Sequence, residues 1–252
     1  MPHEITRVRR ETRRRRLTVA SIERLTPRMA RVRFTSPDLH DFASGAPDDH
    51  IKLFFPEAGA PEGSKPLARD FTPRAFDPAA GALTVDFAMH DGGPSMRWAR
   101  AAKAGTTLEI GGPRGSAIVP DDFDWYLLVG DETALPAIGR RVEELRSGVA
   151  VTTLVVIDDA NEAQTFEARA AWTGRWATRA GARGDDATLL RAALADVAFP
   201  PGDGFVFIAA EASVARALRQ YVVGERGHNP AWVKAAGYWK RGESEVHERI
   251  ED

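Results

Sequence analysis

Arg69-Asp-Phe-Thr-Pro-Arg74 places two arginines, an aromatic ring and a hydroxyl within six residues. In an extended chain, side chains two apart share a face, so Arg69 and Phe71 fall together and Thr72 falls opposite. Forked guanidinium donors suit anionic oxygens, the ring offers a flat apolar surface, and the threonine can bond a polar ring edge or a sugar. The chemistry this fits is the holding of a planar ligand that carries phosphate. A second stretch, His90-Asp-Gly-Gly-Pro-Ser95, is a glycine turn that leads into a helix reaching about residue 102. The free N–H groups of a first helical turn are a place to hold phosphate. Each stretch also has a plain structural reading, as an ordinary surface strand and an ordinary strand-to-helix connection.

Other chemistry is excluded by composition. The chain has no cysteine, so disulfides, thiolate metal sites and cysteine nucleophiles are ruled out. Its six histidines are scattered without metal-ligand spacing, and the expectation is that no metal is held by protein side chains. No Ser/His/Asp set or lysine nucleophile shows specific spacing, and the Asp131-Glu132 pair reads either as acid–base groups or as acids that stabilise the start of a helix. Redox chemistry would therefore need a bound organic cofactor. The net charge of −2 gives no global field, although Arg7, Arg9, Arg10 and the run from Arg13 to Arg16 make residues 1–16 a basic arm. The arm lacks interleaved aromatic residues, so it reads as a solvated leader and not as a nucleic-acid contact. No segment has the length and apolarity of a membrane span, and a cytoplasmic protein is expected.

The supporting elements follow from hydrophobic period. Short alternating pieces at residues 17–25, 29–35, 51–55 and 83–89, separated by turn residues and by a Gly/Pro-rich loop at 56–66, predict a small antiparallel β-barrel over residues 17–121. Residues 122–252 change character. Apolar strands at 125–129, 149–157, 205–209 and 232–236 alternate with helices near 135–146, 185–195 and 211–225, which predicts a parallel sheet covered on both faces. Ligands of such sheets bind beyond the carboxyl ends of the strands, so residues 130–133 and 210–212 should share one rim. No Gly-x-Gly-x-x-Gly is present.

This order of parts resembles the ferredoxin-reductase-like flavoproteins, and its motifs are similar to those of the siderophore-interacting protein family of ferric-siderophore reductases. The motifs are Arg69-Asp-Phe-Thr-Pro-Arg74, Val85-Asp-Phe-Ala-Met-His90 running into Gly93-Pro-Ser-Met-Arg-Trp-Ala99, Gly112-Pro-Arg-Gly-Ser116, Gly130-Asp-Glu-Thr-Ala-Leu-Pro-Ala-Ile138 and Gly237-Tyr-Trp-Lys-Arg-Gly242. The resemblance implies a β-barrel that binds FAD without a covalent bond, followed by a Rossmann-like NAD(P)-binding domain. It assigns cofactor contacts to Arg69, Phe71, Thr72, Arg74, Phe87, His90, Gly92, Gly93, Pro94, Ser95, Thr133 and Trp239. It assigns the nicotinamide rim to Gly130, Asp131, Ala134 and Glu211, and anionic-substrate contacts to Lys52, Arg114, Lys240 and Arg241. The family usually has tyrosine where this chain has Phe71, and serine where it has Met96.

The activity implied is reduction of siderophore-bound Fe(III) to Fe(II) during iron uptake, with electrons from NADPH or NADH, or from ferredoxin, by a monomer that contacts neither nucleic acid nor membrane. Two alternatives stand beside it: a flavin-linked reductase with another acceptor, and a siderophore-binding protein without catalysis.

Overall fold

The computed structural model describes residues 3–56, 59, 61, 65–90, 92–179, 185–243 and 248–250. Asp91 and most of the loop expected at 56–66 lie outside these residues. The chain divides into two compact units, Glu4–Val119 and Pro120–Asp252, the second joined by His3.

The first unit contains β1 (Thr6–Arg9), β2 (Arg14–Thr26), β3 (Met29–Thr35), β4 (Ile51–Phe55), β5 (Leu67–Phe71), β6 (Ala75–Asp77), β7 (Ala82–Ala88), α1 (Pro94–Ala101), β8 (Thr107–Gly111) and β9 (Gly115–Ile118). Seven strands form an antiparallel sheet in the order β5-β4-β8-β2-β3-β7-β6. Period-2 alternation decides its inner face: Leu17 and Val19 of β2 and Ile51, Leu53 and Phe55 of β4 are buried, while Arg16 and Thr18 face out. They enclose a core with Phe34, Val85, Phe87 and Ile110, and α1 adds Met96 and Ala99 to it.

The outermost strands of this sheet, β5 and β6, are consecutive in sequence and separated only by residues 72–74. From Phe71 to Ala75 an extended chain reaches about 14 Å at most. The sheet must therefore curl until its two edges lie side by side. They are not paired with each other, and Pro73 in the joint has no N–H to donate. The expected barrel is thus a half-barrel with an open seam, and the 69–74 motif is the seam.

The basic arm is not a solvated leader. β1 pairs antiparallel with β9, and β2 begins at Arg14. Arg15 occupies an inward position, 6% exposed, and donates to Asp41 and to the carbonyls of Arg13 and Gly112. A matched cation fills a slot of the alternation that hydropathy marks as polar.

The second unit contains β10 (Trp125–Gly130), α2 (Leu135–Glu144), β11 (Ala150–Ile157), β12 (Ala171–Thr178), α3 (Asp186–Ala195), β13 (Gly204–Glu211), α4 (Ala212–Gln220), β14 (Val233–Trp239) and β15 (Glu248–Ile250). The sheet order is β12-β11-β10-β13-β14-β15, parallel except for the last pair. Every residue of β10 and β13 is buried, as the apolar runs predicted. No helix among the described residues is long and apolar enough to cross a membrane.

Gly130 ends β10 where the chain turns into α2. A Cβ there would lie 2.4 Å from the Ala209 carbonyl oxygen and 2.6 Å from the Ala134 methyl. Gly130→Ala is expected to destabilise the protein by about 1–3 kcal/mol. A urea midpoint equal to that of the parent would contradict this packing.

Candidate functional site

On the half-barrel, one aromatic cluster joins the motifs that the sequence shows separately. The half-buried Phe71 ring lies 4.5 Å from Phe87 and 6.0 Å from Phe55. Trp98 of α1 lies 5.7 Å from Phe87 and 5.8 Å from Phe55. Phe87 is near the end of β7, just ahead of His90, so the seam strand, the glycine turn and α1 are anchored on the same rings.

The turn is built to leave the helix start bare. Gly92 and Gly93 have φ of 89° and 85°, in the left-handed region that side chains avoid. Gly93 is the capping residue and brings no side chain, Pro94 has no N–H, and no acidic residue lies in the first turn. The positive end of the helix dipole is therefore not cancelled by any group of the helix itself. Arg100 donates to the His90 carbonyl at 3.3 Å, tying the turn to the helix. His90 and Gly92 are exposed, Gly93 and Pro94 half-buried, and Ser95 and Thr72 each keep 7% of their surface. This arrangement fits a phosphate-bearing ligand. Arg69 is half-buried, with one guanidinium nitrogen donating to the Ala68 carbonyl at 2.6 Å.

Two expected contacts belong to the wall instead. Phe87 is 0% exposed, so it supports Phe71 and cannot touch a ligand. Arg74 is 6% exposed, with Nε 3.7 Å from the Asp86 carboxylate, and its role is to hold the seam. Met96, where the family usually has serine, is 2% exposed in the core, so this position faces away from any phosphate.

In the second unit, the ends of β10 and β13 share a rim as expected, since Gly130 pairs with Ala209. Asp131 is the hub of this rim, 1% exposed. Its Oδ1 accepts from the Thr133 N–H at 2.9 Å and the Thr133 hydroxyl at 2.5 Å, and its Oδ2 accepts from the Glu211 N–H at 3.1 Å and the Trp239 indole at 2.8 Å. Glu211 caps α4 by accepting from the N–H groups of Ser213 and Val214 and from the Ser213 hydroxyl. Burial works against its charge, but these donors hold the Glu211 carboxyl below its ordinary range. Gly130, Asp131, Ala134 and Glu211 are all buried, which corrects their assignment as nicotinamide contacts. They are framework, and the surface they support is formed by Glu132, Thr133, Ser213 and Trp239, which keep exposure.

The rim also carries a cluster that sequence reasoning missed. The Arg179 guanidinium bonds Glu132, Asp158 and Asp186, each at 2.8 Å. Finding it requires β12, which places Arg179 beside the end of β11.

Of the basic residues expected to meet an anionic substrate, Lys52 pairs with Asp70 at 3.0 Å and Lys240 pairs with Glu243. Arg114 and Arg241 are exposed, Arg114 on the half-barrel and Arg241 on the sheet unit.

The half-barrel followed by a parallel α/β unit defines a ferredoxin-reductase-like flavoprotein. Residues 123–242 match the family model for siderophore-interacting protein, and residues 18–63 and 58–117 match the one for siderophore-interacting FAD-binding domain. An NADPH-dependent ferric-chelate reductase from Escherichia coli is 35% identical over 94% of this chain and 97% of its own length. Among solved structures, a siderophore utilization protein from T. fusca superposes with a TM-score of 0.88 at 37% identity, covering 96% of this chain and 98% of that one. A siderophore-interacting protein from Aeromonas hydrophila gives 0.79 at 30% identity, covering 93% and 94%. The chain belongs to the siderophore-interacting protein family.

Burial pushes the Asp131 carboxyl up from 3.8 to about 6, helped by the Glu132 charge and opposed by the donors from Thr133 and Trp239. Between these values the folded state binds more protons than the unfolded state, so this group's contribution to stability falls as pH rises from about 4 to 6. Asp131→Asn removes the titration. The urea midpoint of the parent relative to this variant is expected to drop across that window, and a pH-independent difference would contradict it.

Proposed function

We propose that this chain is an FAD-dependent reductase that converts Fe(III) held in a siderophore complex to Fe(II), with NAD(P)H as electron donor. The observation that carries the proposal is the bare start of α1, anchored on the same aromatic cluster as the Arg69 seam, in the segment that matches a FAD-binding family. Bound FAD supplies the conversion of a hydride donor's electron pair into the single electrons that Fe(III) accepts. The chain's own part is binding and orientation. Arg69 and the N–H groups at the start of α1 offer donors to phosphate, Phe71 gives an apolar ring edge braced by Phe87, and His90 with Gly92 and Gly93 lets the backbone approach closely.

Thr133 and the neighbouring exposed rim form the surface on which a nicotinamide donor docks, kept in place by the buried Asp131. The donor is assigned as NADPH, on the E. coli relative's name, with ferredoxin as the alternative. On the half-barrel, Arg114 and Lys52 are proposed to meet the negative charge of the ferric complex. Electron transfer asks for position and field and for no general acid or base, which agrees with the lack of a catalytic constellation in the sequence.

Arg69→Ala is expected to weaken FAD at least about tenfold, the loss of one charge-assisted contact. Flavin fluorescence titration measures it, and undiminished affinity would remove the seam from the site. Turnover of the parent with ferric chelates against quinones at matched concentration tests the acceptor. A preference for quinones would overturn the iron assignment.

A further inference from the structure

β1 brings no buried side chain to the core: Thr6, Arg7 and Arg9 are exposed and Val8 is half-buried. Burial therefore does not explain why this strand is held in place. Its backbone does hold it, in a defined register. Arg9 pairs with Gly115, and the Arg10 N–H donates to the Arg114 carbonyl at 2.8 Å. The β1–β9 ribbon thus fixes Arg9 and Arg10 beside Arg114.

The connection between β8 and β9, which carries Arg114, adjoins further cations from other strands. Gly111, at the end of β8, is flanked in register by Arg14 on β2 and Lys52 on β4. Most of these charges are matched nearby. Arg13 and Arg15 meet Asp41, Arg14 meets Glu109 at 3.0 Å, and Lys52 meets Asp70. Arg9, Arg10 and Arg114 are different, because each is exposed and none forms an ion pair with an acidic side chain among the described residues. Glu11, next in the chain, is exposed and pairs with none of them either. In a chain of net charge −2, three arginines without an acidic partner, their backbones adjoining at one end of the β1–β9 ribbon, make a local positive field.

We propose that Arg9 and Arg10 extend the anion-binding surface of Arg114, drawing an anionic metal chelate to the half-barrel and discriminating it from a neutral one. The inference rests on the reading of Arg114 as a substrate contact, and it adds residues that the motifs do not reach. Two redox-inert probes separate binding from reduction: gallium(III) tris-catecholate, an anion, and gallium(III) tris(acetohydroxamate), which is neutral. Both are titrated calorimetrically into the FAD-loaded protein at low and high salt.

In the double variant Arg9→Ala/Arg10→Ala, the ratio of affinities for the anionic over the neutral probe is expected to fall about three- to tenfold, as for two exposed charges. The salt dependence of anion binding should weaken with it. Arg9→Lys/Arg10→Lys should restore most of the ratio. Arg24→Ala, ten residues along β2 from Arg14, should not lower it, and serves as the control for net charge. An unchanged ratio in the double variant, an equal loss for both probes, or a parent protein that binds neither would overturn the proposal. If the ratio falls as expected but the FAD-loaded parent does not reduce the iron(III) counterparts, the arginine surface stands and the reductase reading fails.

Discussion

Asp86 lies in the wall of the half-barrel with 5% of its surface exposed, accepting two bonds from Arg31 across the sheet at 2.7 and 2.8 Å and facing Arg74 at 3.7 Å. Removing Asp86 would take away the carboxylate that Arg31 and Arg74 share, a loss tempered at Arg31, whose side chain keeps 30% of its surface. The pairing fixes the far end of the joint between β5 and β6, where the Arg74 N–H also donates to the Thr84 carbonyl at 2.9 Å. The near end is fixed by the β4–β5 ladder and by Phe71 on its ring cluster. A seam that no ladder closes is thereby held at both ends. Its exposed and half-buried groups can face a ligand while its buried ones hold the joint in place.

The second unit divides labour in a similar way. Asp131 spends all its hydrogen-bonding capacity inside the protein, on Thr133, Glu211 and Trp239, and so orients the exposed groups without contributing surface itself. Positioning residues buried beneath a small set of exposed donors suit a protein whose chemistry comes with its cofactor and substrate. The two units thus meet the same requirement with different buried carboxylates.

Much of the architecture was legible because burial follows period. β3 and β4 match the ranges read from alternation, and the apolar runs of β10, β11 and β13 are the buried strands of the parallel sheet. β12 escaped notice because it is an edge strand with mostly exposed side chains, and β1 because a strand without a buried face has no hydropathy signal. The site was legible as motifs and less so as contacts. Residue type and spacing located the seam and the bare helix start, but they could not tell which side of Phe87, Ala134 or Asp131 faces inward. Register resolved Lys52 in the same way, since only the β4–β5 pairing reveals Asp70 opposite it.

In the proposed reaction a flavin held on the half-barrel passes electrons to chelated iron. The most direct measurement reduces the FAD-loaded protein anaerobically with NADPH and mixes it with a ferric tris-catecholate complex in a stopped-flow spectrometer. Flavin absorbance is expected to return as Fe(II) appears, with two iron atoms reduced per flavin. A reduced flavin that persists in the presence of the ferric complex, and reoxidises only when oxygen is admitted, would contradict it.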